Sequence, residues 1–155
     1  MAHITTWNKK YGKDFESLNR EWIETFFGAN TIEPIDNAVL TDTQKTVIDK
    51  GGQVFFAVEN EKVLGCCALI NHGQLKYEIS KLAVSPAAQG KGIASALFDE
   101  ILEYSKKINA KKLIIESNTK LKPAIHLYQK YGFEKVDNFT STYKRVDIYF
   151  EKTLN

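Results

Sequence analysis

The sequence predicts one α/β domain, a mixed and mostly antiparallel sheet flanked by helices, in the order β-α-α-β-β-β-α-β-α-β-β. Three observations carry that expectation. The chain has 155 residues, one domain spanning 1–155, and at about 150 residues a chain hides roughly 68–70% of its unfolded surface without needing staples. Three strand-like runs, VFFAVEN, KVLGCCALI and KYEISKLAV, follow one another with no helix between them, which reads as an antiparallel meander. After Ser85-Pro86 the apolar period changes to that of a helix, and then returns to that of a strand.

Taken in order, HITTW alternates and reads as a short first strand. FESLNREWIETFF carries Phe15, Leu18, Trp22, Ile23 and Phe26 at helical spacing and meets a stop signal at Gly28-Ala29-Asn30. Glu33 to Asp49, with Pro34 near its start, reads as a weaker helix or helical loop. Gly51-Gly52 breaks the chain before the first hairpin, whose polar turn is Glu59 to Lys62, and KYEISKLAV continues the meander. From Ile93 the stripes Ile93, Leu97, Ile101 and Ala94, Phe98, Leu102 form one buried helix face. KKLIIES is almost wholly apolar, the pattern of a strand covered on both faces. Pro123 opens PAIHLYQKYG, for which Gly132 is a natural C-cap. FEKV and STYKRVDIYFEKTL complete the order as strands.

Composition removes several function classes. Net charge is +2, from 21 basic and 19 acidic residues, too balanced for wholesale binding of nucleic acid or an anionic membrane surface. The two cysteines, Cys66 and Cys67, are adjacent in an apolar strand, where neighbours point to opposite faces and do not readily bridge. His3, His72 and His126 are scattered and no CxxC occurs, so no metal site is expected and a reducing compartment is. The N-terminus lacks an apolar signal core, and no apolar run reaches the roughly 20 residues of a spanning helix. A cytoplasmic protein with no membrane contact is the expectation.

The stretch QGKGIAS, Gln89 to Ser95, sets two glycines and a lysine just before a helix. Glycines let backbone N–H groups converge on a phosphate, and the helix adds its positive N-terminal end. An ATP or GTP loop needs GxxxxGK followed by Ser or Thr, yet Gly90-Lys91 is followed by Gly92. A dinucleotide fingerprint matches Gly90 and Gly92 but has Ser95 in place of its third glycine, although Glu116 stands near where a ribose would bind. Its glycines should follow a strand at once and open a parallel unit, whereas Ser85 to Gln89 intervene after a meander. An ordinary turn with a helix cap is the plain alternative. The pattern Q/R-x-x-G-x-G/A is matched by Gln89, Gly92 and Ala94, with KLAV before it and LYQKYGF further along. With these the chain resembles the GNAT superfamily of N-acetyltransferases, from Ile4 to Leu154 and including element order.

That resemblance implies acetyl-coenzyme A as co-substrate, without a metal. Its pyrophosphate would lie on the backbone of Gln89, Gly90, Lys91, Gly92, Ile93 and Ala94, and its pantetheine arm would pair as a strand with Leu82, Ala83 and Val84. A bulge in the KLAV strand is typical of the family. Tyr128 matches the position that donates a proton to the departing thiolate, work suited to a phenol of pKa about 10. A core tyrosine is the structural alternative. Glu78, six residues before Val84, matches a general base of several members, one that burial would make more basic. A solvent-facing glutamate, or one paired with Lys81 or a neighbouring strand, is the other reading. The thioester oxygen would be held by a backbone N–H of Leu82 to Val84.

Asn118 resembles an asparagine that touches the pantetheine arm, but it stands ten residues before Tyr128 where the family has seven, a place held here by Leu121. Lys120 and Lys122 are within reach of the coenzyme's phosphates or simply solvated. His126 points away from Tyr128 on the same helix. Trp22, Phe26 and Phe27 read as helix core, although the family sets the segment from Phe27 to Asp36 over the acceptor. Arg145 and Asp147, two apart on a late strand, would orient an acceptor. The implied reaction is direct acetyl transfer to a primary amine of a small molecule. A coenzyme A sensor without activity and a protein N-acetyltransferase are the alternatives, and a homodimer is common in the family.

Overall fold

In the computed structural model, which describes residues 2–154, the predicted order of elements is present. The strands are β1 (His3–Thr6), β2 (Gln53–Glu59), β3 (Lys62–Asn71), β4 (Lys76–Val84), β5 (Lys112–Ser117), β6 (Glu134–Lys135) and β7 (Ile148–Thr153). The helices are α1 (Gly12–Phe27), α2 (Pro34–Thr41), α3 (Ile93–Lys107) and α4 (Lys122–Lys130). One seven-stranded sheet runs β1-β2-β3-β4-β5-β7-β6. Its pairs are antiparallel except β4 with β5.

Each face of the sheet carries its own core. On one face Phe15, Val39, Leu40, Val47 and Phe56 pack together, bringing α1 and α2 onto the strands. On the other, Leu97, Phe98 and Ile101 of α3 and Tyr128 of α4 pack on Phe55, Leu69, Leu113 and Phe150. Strand alternation sends Cys66 into the first core and Cys67 into the second, both fully buried. Asn19 sits in the first core because its amide is satisfied, donating to the Phe15 carbonyl at 2.9 Å.

Local punctuation agrees with the sequence at most element ends. α1 stops where Gly28 turns to φ 96°. α4 stops at Gly132, φ 84°, with Phe133 N–H donating to the Tyr128 carbonyl. One expectation is refined and another needs correction. The stretch from Glu33 to Asp49 divides into α2 and a single π-type turn, Gln44–Ile48. Of STYKRVDIYFEKTL only Ile148–Thr153 is strand. Residues 141–147 are instead irregular, held by one side chain and one backbone group: Lys144 N–H donates to the Glu33 carboxylate and Asp147 N–H to the Ser117 backbone carbonyl.

The sheet opens between β4 and β5. These strands pair only through Lys76–Lys112, Tyr77–Leu113 and Glu78–Ile114. Beyond Glu78, β4 stays with β3 while β5 stays with β7, so the two diverge. A bulge accompanies the divergence: between the rungs Cys66–Ala83 and Ala68–Ser80, Lys81 and Leu82 both stand opposite Cys67. Lys81 has φ 57°, a left-handed conformation that bends the strand.

Candidate active site

The space opened by that divergence is a cavity of about 490 Å³. Leu82, Ala83 and Val84 line one wall, and Ser117, Asn118 and Tyr128 line the other. At the far end of β4 stands the glycine loop. Gly90 (φ 79°) and Gly92 (φ 77°) both adopt a conformation costly for other residues, and an added Cβ at either would meet no protein atom. The backbone geometry, not crowding by the protein, therefore demands glycine. Gly92 is the N-cap of α3 and supplies no side chain to the helix, so the N–H groups of Ile93, Ala94 and Ser95 have no partner within it. Gln89 ties the loop to the strand end, its Nε2 donating to the Val84 carbonyl at 3.3 Å. Gly65 seats the helix start on the sheet, since a Cβ there would lie 2.8 Å from Ile93 Cγ2.

These features fit a ligand with a phosphate at one end and an amide-bearing arm. The loop offers converging N–H groups at a helix start, and the diverging edge of β4 beyond Glu78 has no strand beside it. Of the residues expected to hold such a ligand, Gln89, Gly90, Gly92, Ile93 and Ala94 line the cavity with Leu82, Ala83 and Val84. Lys91 is exposed at the loop tip instead. Asn118 lines the cavity, but its amide is engaged within the chain. Nδ2 donates to the Arg145 carbonyl at 2.6 Å, and Oδ1 accepts from Lys120 N–H at 2.9 Å.

Tyr128 belongs both to the core and to the cleft. Its ring stacks on Phe98 at 5.9 Å and meets the edge of Phe150 at 5.5 Å, with 6% of the residue exposed. Burial pushes its phenol up to about 12, against the opposing effect of the Ser117 hydroxyl. It therefore keeps its proton at neutral pH. His126, two residues before it, is exposed.

Glu78 is buried at the apex, on the last shared rung of β4 and β5, and lines the cavity. It pairs neither with Lys81 nor with solvent. Its Oε1 lies 2.8 Å from His72 Nε2, and that hydrogen bond, against the effect of burial, raises the His72 pKa. Glu116, also on the cavity wall, has its pKa raised, first by burial and further by the nearby Glu78 charge, while the Ser141 hydroxyl opposes the rise.

A charged cluster that the sequence did not reveal stands beside the bulge. Asp36, with no exposed surface, receives both arms of Arg145 at 2.6 Å and Lys81 Nζ at 2.9 Å. Burial alone would raise the Asp36 carboxyl, but Arg145 and Lys81 outweigh it and hold the pKa at about 2. Burial lowers the Lys81 pKa, and the Asp36 carboxylate opposes that. Tyr143 lies beneath both cations, its ring 4.9 Å from Lys81 Nζ and 4.8 Å from the Arg145 guanidinium. Arg145 and Asp147 therefore do separate work: Asp147 accepts from Thr119 N–H at 2.9 Å and from its hydroxyl at 3.0 Å.

Trp22, Phe26 and Phe27, expected as helix core, line the cavity, with Phe26 47% exposed. Lys120 Nζ sits 5.4 Å from the Phe27 ring centre. One signal for His72 was available in sequence. On the hairpin register Ile70 faces Glu78, so His72 is the diagonal neighbour of Glu78 on the same sheet face. The pairing of Asp36 with Lys81 joins distant parts of the chain and leaves no such trace.

Among the described residues no cluster of three or more His, Cys, Asp or Glu is placed to hold a metal ion, and no helix is long and apolar enough to cross a membrane.

Comparison with known proteins gives a consistent picture. Residues 15–133 match the family described as Acetyltransferase (GNAT) family. An uncharacterised N-acetyltransferase of Schizosaccharomyces pombe is 26% identical over 127 residues, covering 81% of this chain and 78% of that protein. Against several further curated relatives the match spans only about half of their length. The fold is shared with an acetyltransferase of the GNAT family from Staphylococcus aureus Mu50, at TM-score 0.89 and 18% identity with both chains fully covered. It is also shared with the PaiA N-acetyltransferase of Thermoplasma acidophilum, solved in complex with coenzyme A, at TM-score 0.78 and 15% identity over 99% of each chain.

Proposed function

This chain belongs to the GNAT family of acetyl-CoA-dependent N-acetyltransferases, and we propose that it moves the acetyl group directly to a primary amine of a small molecule held in the cleft. The observation that carries this reading is a convergence: the glycine loop, the free edge of β4, Glu78 and Tyr128 all line one cavity.

Each residue has a definite task in that reaction. The loop from Gln89 to Ala94 and the edge from Leu82 to Val84 hold acetyl-CoA, which supplies the activated acetyl group. A backbone N–H beside the bulge at Lys81 stabilises negative charge on the thioester oxygen. Glu78 takes a proton from the acceptor ammonium, which frees the nitrogen lone pair for attack. Tyr128 gives its proton to the departing thiolate. No covalent enzyme intermediate is required, because holding amine and thioester together supplies much of the rate.

Two features support a small acceptor that carries positive charge. The acceptor end has Trp22, Phe26, Phe27, Tyr143 and Arg145 among its lining residues, aromatic surface on which a small organic amine can pack. Lys81 and Arg145 are already paired with Asp36, so Glu78 and Glu116 set the local charge for an incoming ammonium.

The test is to mix the purified protein with acetyl-CoA and two panels, small primary amines and peptides with free N-termini. Free thiol and acetylated product are then followed. Acetylation of small amines is expected. Acetylation of peptides alone would transfer the activity to protein substrates. Coenzyme binding without turnover on either panel would make the domain a coenzyme A sensor.

A further inference from the structure

The Glu78 carboxylate faces the cleft, but its hydrogen-bonded partner does not. His72 lies in the turn after β3 and lines a second cavity, of about 470 Å³, together with Lys76, Ser141 and Tyr149. Glu116 lines both cavities. Exposure rises along this line. The Glu78 side chain is 6% exposed and the His72 side chain 38%.

A buried base has a practical difficulty. Each turnover loads Glu78 with a proton that must leave before the next acceptor enters, and the cleft itself is then filled with substrates. We propose that His72 is the exit for that proton, carrying it from Glu78 to water in the second cavity. This rests on acetyl transfer to an amine with Glu78 as base.

The step balances as follows. Transfer from the thioester to R–NH₃⁺ breaks the C–S bond and forms a C–N bond, giving an amide, a thiol and one proton. The nitrogen loses two protons. One replaces the proton that Tyr128 gives to sulfur. The other passes to Glu78, whose carboxylate until then accepts from His72 Nε2–H at 2.8 Å. With Glu78 protonated, the half-exposed ring exchanges with water so that its own proton sits on Nδ1, and the bared Nε2 takes the proton of Glu78. Loss of the Nδ1 proton to water then restores the starting pair.

The surroundings favour uptake of the proton by His72. Glu78 and Glu116 both stabilise the imidazolium and Lys76 opposes it, with a net rise in the His72 pKa. Glu151 lines the same cavity. Glu78 in turn acts electrostatically on Lys81, Glu116, Tyr143 and Tyr149, which stand on four different segments. Histidine is the side chain whose ordinary pKa makes it an acceptor and donor near neutral pH. Because His72 acts through Glu78, it is a positioning residue as well as a relay, and the experiment must separate those roles.

His72→Gln keeps an N–H donor for Glu78 but cannot shuttle a proton, whereas His72→Ala removes both. The acceptor is whichever of phenethylamine, putrescine and lysine the wild type acetylates fastest. Both variants should lower kcat by about tenfold or more with little change in KM, and added imidazole should restore kcat in His72→Ala only. A His72→Gln enzyme of wild-type speed, or a His72→Ala enzyme indifferent to imidazole, overturns the relay. Independently of turnover, the His72 ring is titrated by nitrogen-15 NMR. Glu78→Gln should lower its midpoint, and an unmoved His72 midpoint also overturns the relay. Should none of the three amines be acetylated, the small-amine reading falls by itself and the NMR titration alone decides the fate of the relay.

Discussion

Glu78 and Ile114 form the last rung that β4 and β5 share. The cleft begins at that position. Up to the rung the sheet is continuous, and past it the strands separate and a bulge at Lys81 turns β4 aside. A carboxylate at the apex of the split is thereby buried in the sheet yet open to the cleft. The same divergence leaves a strand edge on which an extended ligand can pair.

Tyr128→Phe tests the proposed proton donor. The ring contacts with Phe98 and Phe150 survive the change, so the fold and coenzyme affinity should be retained. Loss of a general acid costs on the order of 10²-fold in turnover. Thiol release and calorimetric titration with coenzyme A measure the two effects separately. Equal turnover in the variant would remove Tyr128 from the mechanism.

Gly92→Ala tests the loop. Its φ of 77° costs a residue with a Cβ about 1–2 kcal/mol, although nothing in the protein obstructs the methyl group. Relaxing that strain turns the N–H groups at the start of α3 away from one another. The Kd for coenzyme A should rise by roughly five- to thirtyfold, with little loss of thermal stability. A greater loss of stability than of affinity would make Gly92 a folding residue only.

The Asp36 cluster should be visible in acid. The Asp36 pKa is lower in the folded protein, about 2, than its ordinary 3.8. Its contribution to stability is therefore complete above 3.8 and is lost as pH falls toward 2. Asp36→Asn leaves Lys81 and Arg145 without their shared anion and should cost about 3–5 kcal/mol at neutral pH. The thermal midpoint of the wild type should fall more steeply than that of the variant between pH 4 and 2. Parallel pH profiles would show that the cluster contributes little.

Phe26→Ala addresses the acceptor wall. Phe26 is half exposed and contributes little to the core, so the fold should persist. The KM for the amine should increase severalfold while the KM for acetyl-CoA stays within about twofold, since one truncated apolar contact is worth about 1–3 kcal/mol. A change in the acetyl-CoA KM instead would place Phe26 beside the donor.

Most of the fold was legible in the sequence because periodicity is local. The meander, the switch to helical spacing at Ile93 and the caps at Gly28 and Gly132 each report on neighbouring residues. The glycine loop was legible for the same reason, being fixed by the left-handed conformations of Gly90 and Gly92. The segment from Ser141 to Asp147 misled because its alternation resembles a strand, whereas Glu33, Asp36 and Ser117 hold its backbone and side chains in an irregular path. Phe26 and Phe27 misled because helical spacing cannot say whether an apolar face meets a core or a cavity; Trp22 does both, packing on the first core and lining the cleft. The Asp36–Lys81–Arg145 cluster was invisible, since three elements far apart in the chain meet only in the folded protein.

The most direct measurement is hydrogen–deuterium exchange of the purified protein with and without coenzyme A. Protection is expected in the backbone from Leu82 to Val84 and from Gly90 to Ser95, with no change in residues 137–142 around the second cavity. Coenzyme A binding that leaves both of the first two segments exchanging freely would contradict the placement of the donor in the cleft between β4 and β5.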